Sequence, residues 1–214
     1  METPAPNQTT PTVRDRLLAA AVRILHEQGI AALTQTNVSN TAGVRQSHLT
    51  YYFPQRADLL KQAVLSGCAS LLAMLEEPAA TTGAKSLREF HETALEHLLD
   101  RRVPRMMTGL VVASDEDHSL KAWLEQFQDD MVSRMERAFA AYGVHSPRDE
   151  LELFHATFVG ALQLDLAAGS DASRERTRAV LRKAFDRLVA NSRTDAQSAA
   201  AANDAAPTDS SSHG

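Results

Sequence analysis

Apolar residues along the middle of this chain recur at intervals of three and four, while glycine and proline are sparse, at 9 and 8 residues in 214. That period belongs to an α-helix buried along one side and not to strands, whose apolar positions alternate. The spacing therefore predicts an all-α chain. A first helix follows Thr12, a suitable N-cap, carries Leu17, Leu18, Ala21, Ile24 and Leu25 on one side, and ends at Gly29. Two short helices come next, then one long helix over 56–77 with Leu59, Leu60, Ala63, Val64, Leu71, Leu72 and Leu75 apolar, stopped by Pro78. A loop over 79–85 leads to Ser86, the cap of a helix whose stripe is Leu87, Phe90, His91, Ala94 and Leu98. Pro104 opens a Met-rich helix to Ala113, and Ser119 starts one carrying Leu120, Leu124, Phe127, Met131, Met135, Ala138 and Tyr142 before Gly143. The last two helices run over 147–168 and 172–191. No fixed period repeats, which excludes a solenoid. Residues 1–11 and 192–214 lack apolar periodicity and are expected to be disordered tails.

Composition narrows the function classes. Apolar residues are 43% and charged residues 23%, the balance of a globular chain, and at about 150 residues per domain the length allows one or two domains. Apolar runs such as 110–113 fall far short of the about 20 residues of a membrane-spanning helix, so no membrane role is expected. The start of the chain lacks a basic and then apolar signal, which makes the cytoplasm the expected compartment. The single cysteine, Cys68, can close no intrachain disulfide, and His91 and His97 stand too far round one helix to share a ligand site; no metal or cofactor is expected. A net charge of -5 argues against indiscriminate coating of nucleic acid. Its distribution is uneven, however. Between residues 12 and 66, Arg14, Arg16, Arg23, Arg45, Arg56 and Lys61 face only Asp15, Glu27 and Asp58, a balance of +3, whereas residues 67–214 carry -7. A basic front and an acidic back suggest two tasks, with only the front attractive to DNA; ordinary scatter of surface charge is the plainer alternative.

The stretch over 33–60, LTQTNVSNTAGVRQSHLTYYFPQRADLL, carries the most information. Thr34 can cap a helix of about two turns in which Val38 and Ala42 share a face. Gly43 supplies a left-handed turn residue, Val44 packs the turn, and Leu49 and Phe53 face inward from a second short helix. Two short helices joined at such a turn form a helix-turn-helix, which presents its second helix to the DNA major groove. Leu49 and Phe53 are core, and adjacent Tyr51 and Tyr52 cannot share one helix face, so at least one is exposed.

This ordered set resembles the tetracycline-repressor (TetR) family of bacterial transcription regulators: EQGIAALT from Glu27, AGV from Ala42, LTYYF from Leu49 and RADLL from Arg56. The resemblance covers about fifty residues. It implies a three-helix DNA-binding domain over 12–55, joined by a long helix to a ligand-binding and dimerisation domain within 56–191. It places Gln46, Ser47, His48 and Tyr52 at base edges or nearby backbone, Tyr51 and Arg56 at phosphates, and Thr34 and Thr36 at backbone contacts beside them. Three departures from the family stand out. Arg45 stands where a small capping residue is usual, so either the helix starts later with Ser47 as its cap, or Arg45 is kept for a phosphate or guanine opposite. Gln35 replaces a usually apolar residue and Ser39 a usual alanine, from which looser packing of that helix is expected. The order Thr50, Tyr51, Tyr52, Phe53 differs from the usual aromatic-aromatic-His-Phe.

The resemblance further implies that the last two long helices form a four-helix bundle between two subunits, and Gly160 amid Ala156, Val159 and Ala161 would permit close approach there. A homodimer implies a palindromic operator in double-stranded DNA. For a small-molecule inducer, the candidate contacts are Leu71, Phe90, His91, Met107, Leu110, Trp123, Phe127, Met131 and His155, although an apolar stripe is more often plain core. The expected function is a ligand-responsive, homodimeric regulator, a repressor released by an apolar or aromatic inducer. An adaptor whose C-terminal domain docks a protein instead is the alternative. No nucleophile, carboxylate pair or phosphate loop has the spacing of a catalytic site, so no enzyme is expected.

Overall fold

The computed structural model describes residues 11–204, and among them it contains helices and no strand. Of the tails expected over 1–11 and 192–214, residues 1–10 and 205–214 lie outside the described residues. In order, the helices are α1 (Val13–Glu27), a turn of 3-10 helix (Ile30–Ala32), α2 (Gln35–Ala42), α3 (Gln46–Tyr52), α4 (Arg56–Gly67), α5 (Ala69–Glu76), α6 (Pro78–Thr82), α7 (Leu87–Leu98), α8 (Arg102–Glu116), α9 (His118–Ala140), α10 (Arg148–Ala168) and α11 (Asp171–Asp204). They gather into two compact units, one from Met1–Leu72 and His97–Gln128, the other from Ala73–Glu96 and Asp129–Gly214. Helices α5, α7 and α9 therefore each run from one unit into the other.

In the first unit α1 is the central element, packed against α2, α3, α4 and α8. Its start is held by a capping box: Thr12 Oγ1 accepts from the Asp15 N–H, and the Asp15 carboxylate accepts from the Thr12 N–H. The Asp15 carboxylate also accepts the Thr12 hydroxyl at 2.7 Å, and that bond, followed by the one from the Thr12 N–H, holds it below its ordinary range. Leu17, Ala21, Ile24 and Leu25 are wholly buried, and each large side chain contributes about 1.5–3 kcal/mol by leaving water. On α8, Gly109 lets the Ile30 side chain approach to 2.8 Å from where a Cβ would stand.

The second unit is built on the antiparallel-style pairing of consecutive helices α10 and α11, with Phe139 of α9 against Phe154 and Phe185. Leu151, Phe154 and Leu162 of α10 and Leu181, Phe185 and Leu188 of α11 are all buried. The buried Asp165 carboxylate is satisfied by the Ser173 hydroxyl at 2.6 Å. Helix α7 is tied to α11 by Arg88–Asp186 at 2.7 Å, Arg178–Glu96 at 2.9 Å and Arg182–Glu92 at 2.6 Å. Being surface pairs, these fix register more than they add stability.

Several elements differ from the sequence expectation. The single helix expected over 56–77 is two helices, α4 and α5, bent by 54°. Gly67 is the last residue of α4, and a Cβ there would stand 2.7 Å from Met106 Sδ on α8, so this close passage needs a glycine. The loop expected over 79–85 contains α6, with Pro78 in its first turn, where a missing N–H costs nothing. Helix α8 starts at Arg102 because Asp100 Oδ1 accepts the Arg102 N–H, and α9 at His118 because Asp117 Oδ1 accepts from Ser119 and Leu120. Helix α11 continues to Asp204, through residues 192–204 that composition assigned to a tail; the alanines from Ala199 have the highest helix propensity of any residue.

Candidate nucleic-acid interface

Thr34 caps α2 by accepting the Asn37 N–H at 3.2 Å, and Asn37 Nδ2 donates to Ala32 O at 3.0 Å and Gln28 Oε1 at 3.1 Å. The start of α2 is thereby pinned to the end of α1. At its other end Gly43 adopts φ 64, ψ 40, its N–H bonding Asn40 O while Val44 N–H bonds Ser39 O. This is the Schellman arrangement, and only glycine enters it without strain. The Arg16 guanidinium donates to Ala42 O at 2.7 Å and Gly43 O at 2.9 Å, fastening the turn to α1. Val38, Ala42, Leu49 and Phe53 are buried, so the crossing of α2 and α3 is set by packing on one side and leaves the other side of α3 free.

Helix α3 begins at Gln46, with Arg45 as an N-cap that makes no side-chain capping bond. The later start with Ser47 as cap is not adopted. Thr34, Thr36, Arg45, Gln46, Ser47, His48, Tyr51, Tyr52 and Arg56 are all exposed. Tyr51 is 78% and Tyr52 40% exposed, their rings edge to face at 5.0 Å. A groove of about 260 Å³ is lined by Leu33, Leu49, Phe53 and Leu59 together with Thr34, Gln35 and Arg56, which brings the starts of α2 and α4 beside one cleft. Arg56 Nη2 lies 3.4 Å from Ile30 O, and Gln46 Nε2 donates to Gln35 Oε1 at 2.7 Å. On α2, Ser39 is buried at 3% exposure and its hydroxyl has no hydrogen-bond partner. Sequence reading missed Arg16 and Asn37 as turn-holding residues, since their partners are set by tertiary packing and by a backbone carbonyl rather than by spacing.

The nine residues proposed for a ligand do not all belong to one unit. Leu71, Met107, Leu110, Trp123 and Phe127 belong to the first, with Trp123 stacked on Phe127 at 5.1 Å. Phe90, His91, Met131 and His155 belong to the second. There His91 is 4% exposed, its ring 4.1 Å from Phe185 and nearly parallel, and neither ring nitrogen has a hydrogen-bond partner. Burial pushes its pKa down to about 4, and burial also lowers that of half-buried His155.

Residues 17–63 match the family model of bacterial regulatory proteins of the tetR family. That segment is a TetR-type DNA-binding domain. No curated protein is similar enough in sequence to count as a match. Solved structures share the fold. A structural-genomics protein from Rhodococcus sp. RHA1 has a TM-score of 0.66 at 20% identity, covering 83% of this chain and 95% of its own. The multidrug binding protein EbrR, complexed with imidazole, has a TM-score of 0.59 at 21% identity over 82% of this chain and 96% of its own. SmeT, the repressor of the Stenotrophomonas maltophilia multidrug efflux pump SmeDEF, has a TM-score of 0.60 at 18% identity over 85% and 91%. The matched residues run from α1 to α4 and include the helix-turn-helix whose exposed face has just been described. Among the described residues, no single helix is long and apolar enough to cross a membrane.

Proposed function

We propose that this chain is a cytoplasmic homodimeric repressor that binds a palindromic operator in double-stranded DNA and is released by a small apolar or aromatic inducer. The observation that carries the DNA half is the exposure of Gln46, Ser47, His48, Tyr51 and Tyr52 on one side of α3, with Arg45 at its N-cap and Arg56 at the start of α4. A helix held on one side by Leu49 and Phe53 offers those side chains to a major groove, with Tyr51, Arg56, Thr34 and Thr36 directed at flanking phosphates and Arg45 at a phosphate or guanine. The DNA-binding part is 12–55; ligand binding and dimerisation belong to 56–191.

The dimer reading is supported by α10. Leu153 is 52%, Val159 42% and Leu164 73% exposed on that helix, with Val180 of α11 48% exposed. Gly160 lies on the same helix with open space where a Cβ would be, so nothing within the chain uses its small size. A second copy seated there would. Two recognition helices related by a two-fold axis meet successive major grooves about 34–36 Å apart, which dictates an inverted repeat.

The inducer reading is supported by the aromatic and methionine side chains of the second unit, Phe90, His91, Met131 and His155 among them, and by the multidrug character of EbrR and of the pump that SmeT represses. Release is a population shift: moving the dimer from 99:1 in favour of groove spacing to 1:99 requires about 5.5 kcal/mol of differential inducer affinity. Selection of bound duplexes from a random pool by the purified protein tests the first step. Recovery of an inverted repeat is expected, and that duplex then serves to find compounds that release the protein; recovery of unrelated sequences at wild-type enrichment would overturn the operator reading.

A further inference from the structure

We infer that Gln35 is a positioning residue that fixes Gln46 to read a single adenine in each operator half-site. The inference rests on the DNA-binding reading above and deepens it by naming the base and the residue that aims its reader. Gln35 opens α2 and Gln46 opens α3, eleven positions apart, and the Schellman turn at Gly43 brings the two side chains together. Gln46 Nε2 donates one hydrogen to Gln35 Oε1 at 2.7 Å, and both residues are exposed.

A glutamine on a helix surface ordinarily samples many rotamers, and a base contact must freeze them. Here one amide hydrogen is already committed to a neighbour on a different helix, so the amide plane is held before DNA arrives. With the Nε2 hydrogen anti to Oε1 given to Gln35, Gln46 keeps for the base the syn hydrogen beside its Oε1 acceptor, and the readout requires that choice. That donor and acceptor complement the N7 acceptor and N6 donor of adenine in the major groove. Guanine offers two acceptors there, cytosine a donor alone, and thymine an acceptor beside a methyl group, so each leaves part of the amide unmatched. The remaining acceptor capacity of Gln35 is not needed for this; its task is to hold, not to read. An apolar residue at position 35 would pack without holding anything.

The test measures base preference at every operator position by selection from a random duplex pool, for the full chain and three variants. The wild type is expected to show adenine at one position of each half-site, and Gln46→Ala to lose preference there alone. Gln35→Met, which keeps the length but removes the acceptor, is expected to reduce discrimination at that same position about two- to tenfold, the range for immobilising one flexible side chain, with affinity for random duplex unchanged. Gln35→Glu keeps an acceptor for Nε2 and should retain the adenine preference while weakening binding to all sequences through its charge. Unchanged discrimination in Gln35→Met, or an equal loss at all positions, overturns the positioning role. A base other than adenine at the Gln46-dependent position overturns the readout. If the wild type selects no motif at all, the operator reading fails first, and this inference with it.

Discussion

Replacing His91 by phenylalanine should make the protein markedly less sensitive to acid. The imidazole stacks on Phe185 at 4.1 Å, is 4% exposed, and has no hydrogen-bond partner at either nitrogen. Burial lowers its pKa to about 4; Glu92 and Asp186 oppose that shift, while Arg88 and Arg182 add to it. In the unfolded chain the same group titrates near about 6.5. The folded pKa is depressed, so the unfolded state binds more protons between those values. The stability held by neutral His91 is therefore fully present above the unfolded pKa and is lost as pH falls toward the folded one. Linkage between pKa values of about 4 and about 6.5 gives a loss of about 2 kcal/mol on going from pH 7 to pH 5. In His91→Phe that loss disappears, whereas contributions from His26 and His155 remain in both proteins and cancel in the comparison. Urea unfolding at the two pH values measures it. The wild type should lose about 2 kcal/mol more than the variant. At pH 7 the variant should be at least as stable, because a phenyl ring leaves no buried nitrogen unpaired. An identical pH dependence in the two proteins would refute the reasoning, for it would mean that His91 is hydrogen-bonded in solution and able to accept a proton.

Three other perturbations have expected outcomes. Arg56→Ala should weaken binding to operator and random duplex alike and lower the slope of log affinity against log salt by about 0.9 per subunit, measured by fluorescence anisotropy; an unchanged slope removes the phosphate role. Gly43→Ala should cost about 1–3 kcal/mol in thermal or urea unfolding, because the residue sits at φ 64 and its Cβ would lie 3.1 Å from Arg16 Nη2. Gly83→Ala has a similar φ of 69 but open space, so a loss as large as that of Gly43→Ala would show that Arg16 is not crowded. Leu164→Arg should leave the helical content unchanged and shift sedimentation from dimer to monomer, since that side chain is 73% exposed in the single chain; persistence of the dimer at micromolar concentration would place the interface elsewhere.

The all-helical class and the helix-turn-helix were legible because their signals are local. Thr12 and Thr34 cap where their hydroxyls predict, and Gly43 turns where a left-handed residue is required. The bend at Gly67 was not legible, because Leu71, Leu72 and Leu75 continue the apolar period past it, and the close neighbour of Gly67, Met106, lies on a helix about forty residues away. The caps at Asp100 and Asp117 moved two helix starts by one or two residues from those read at Pro104 and Ser119.

The two candidate sites differ in legibility for a physical reason. A DNA-facing helix must keep polar side chains in water on the side away from its core, and the sequence of α3 shows this directly, with Leu49 and Phe53 inward and its other positions polar or aromatic. A pocket for an apolar compound is built from the same residue types as the core around it, so spacing selects both without distinguishing them. Leu110 of α8 and Phe90 of α7 are as buried as any core residue, and so are Met106 and Leu95 on the same two helices. His91 separates from that background only when its unpaired nitrogens are seen, since a sequence gives the imidazole but not the absence of its partners. Gln35 makes the same point on the other face. As a letter it is a departure from an apolar position; as a structure it is the acceptor that holds Gln46, and its meaning depends on a turn that brings two helix starts within 2.7 Å of hydrogen-bonding contact.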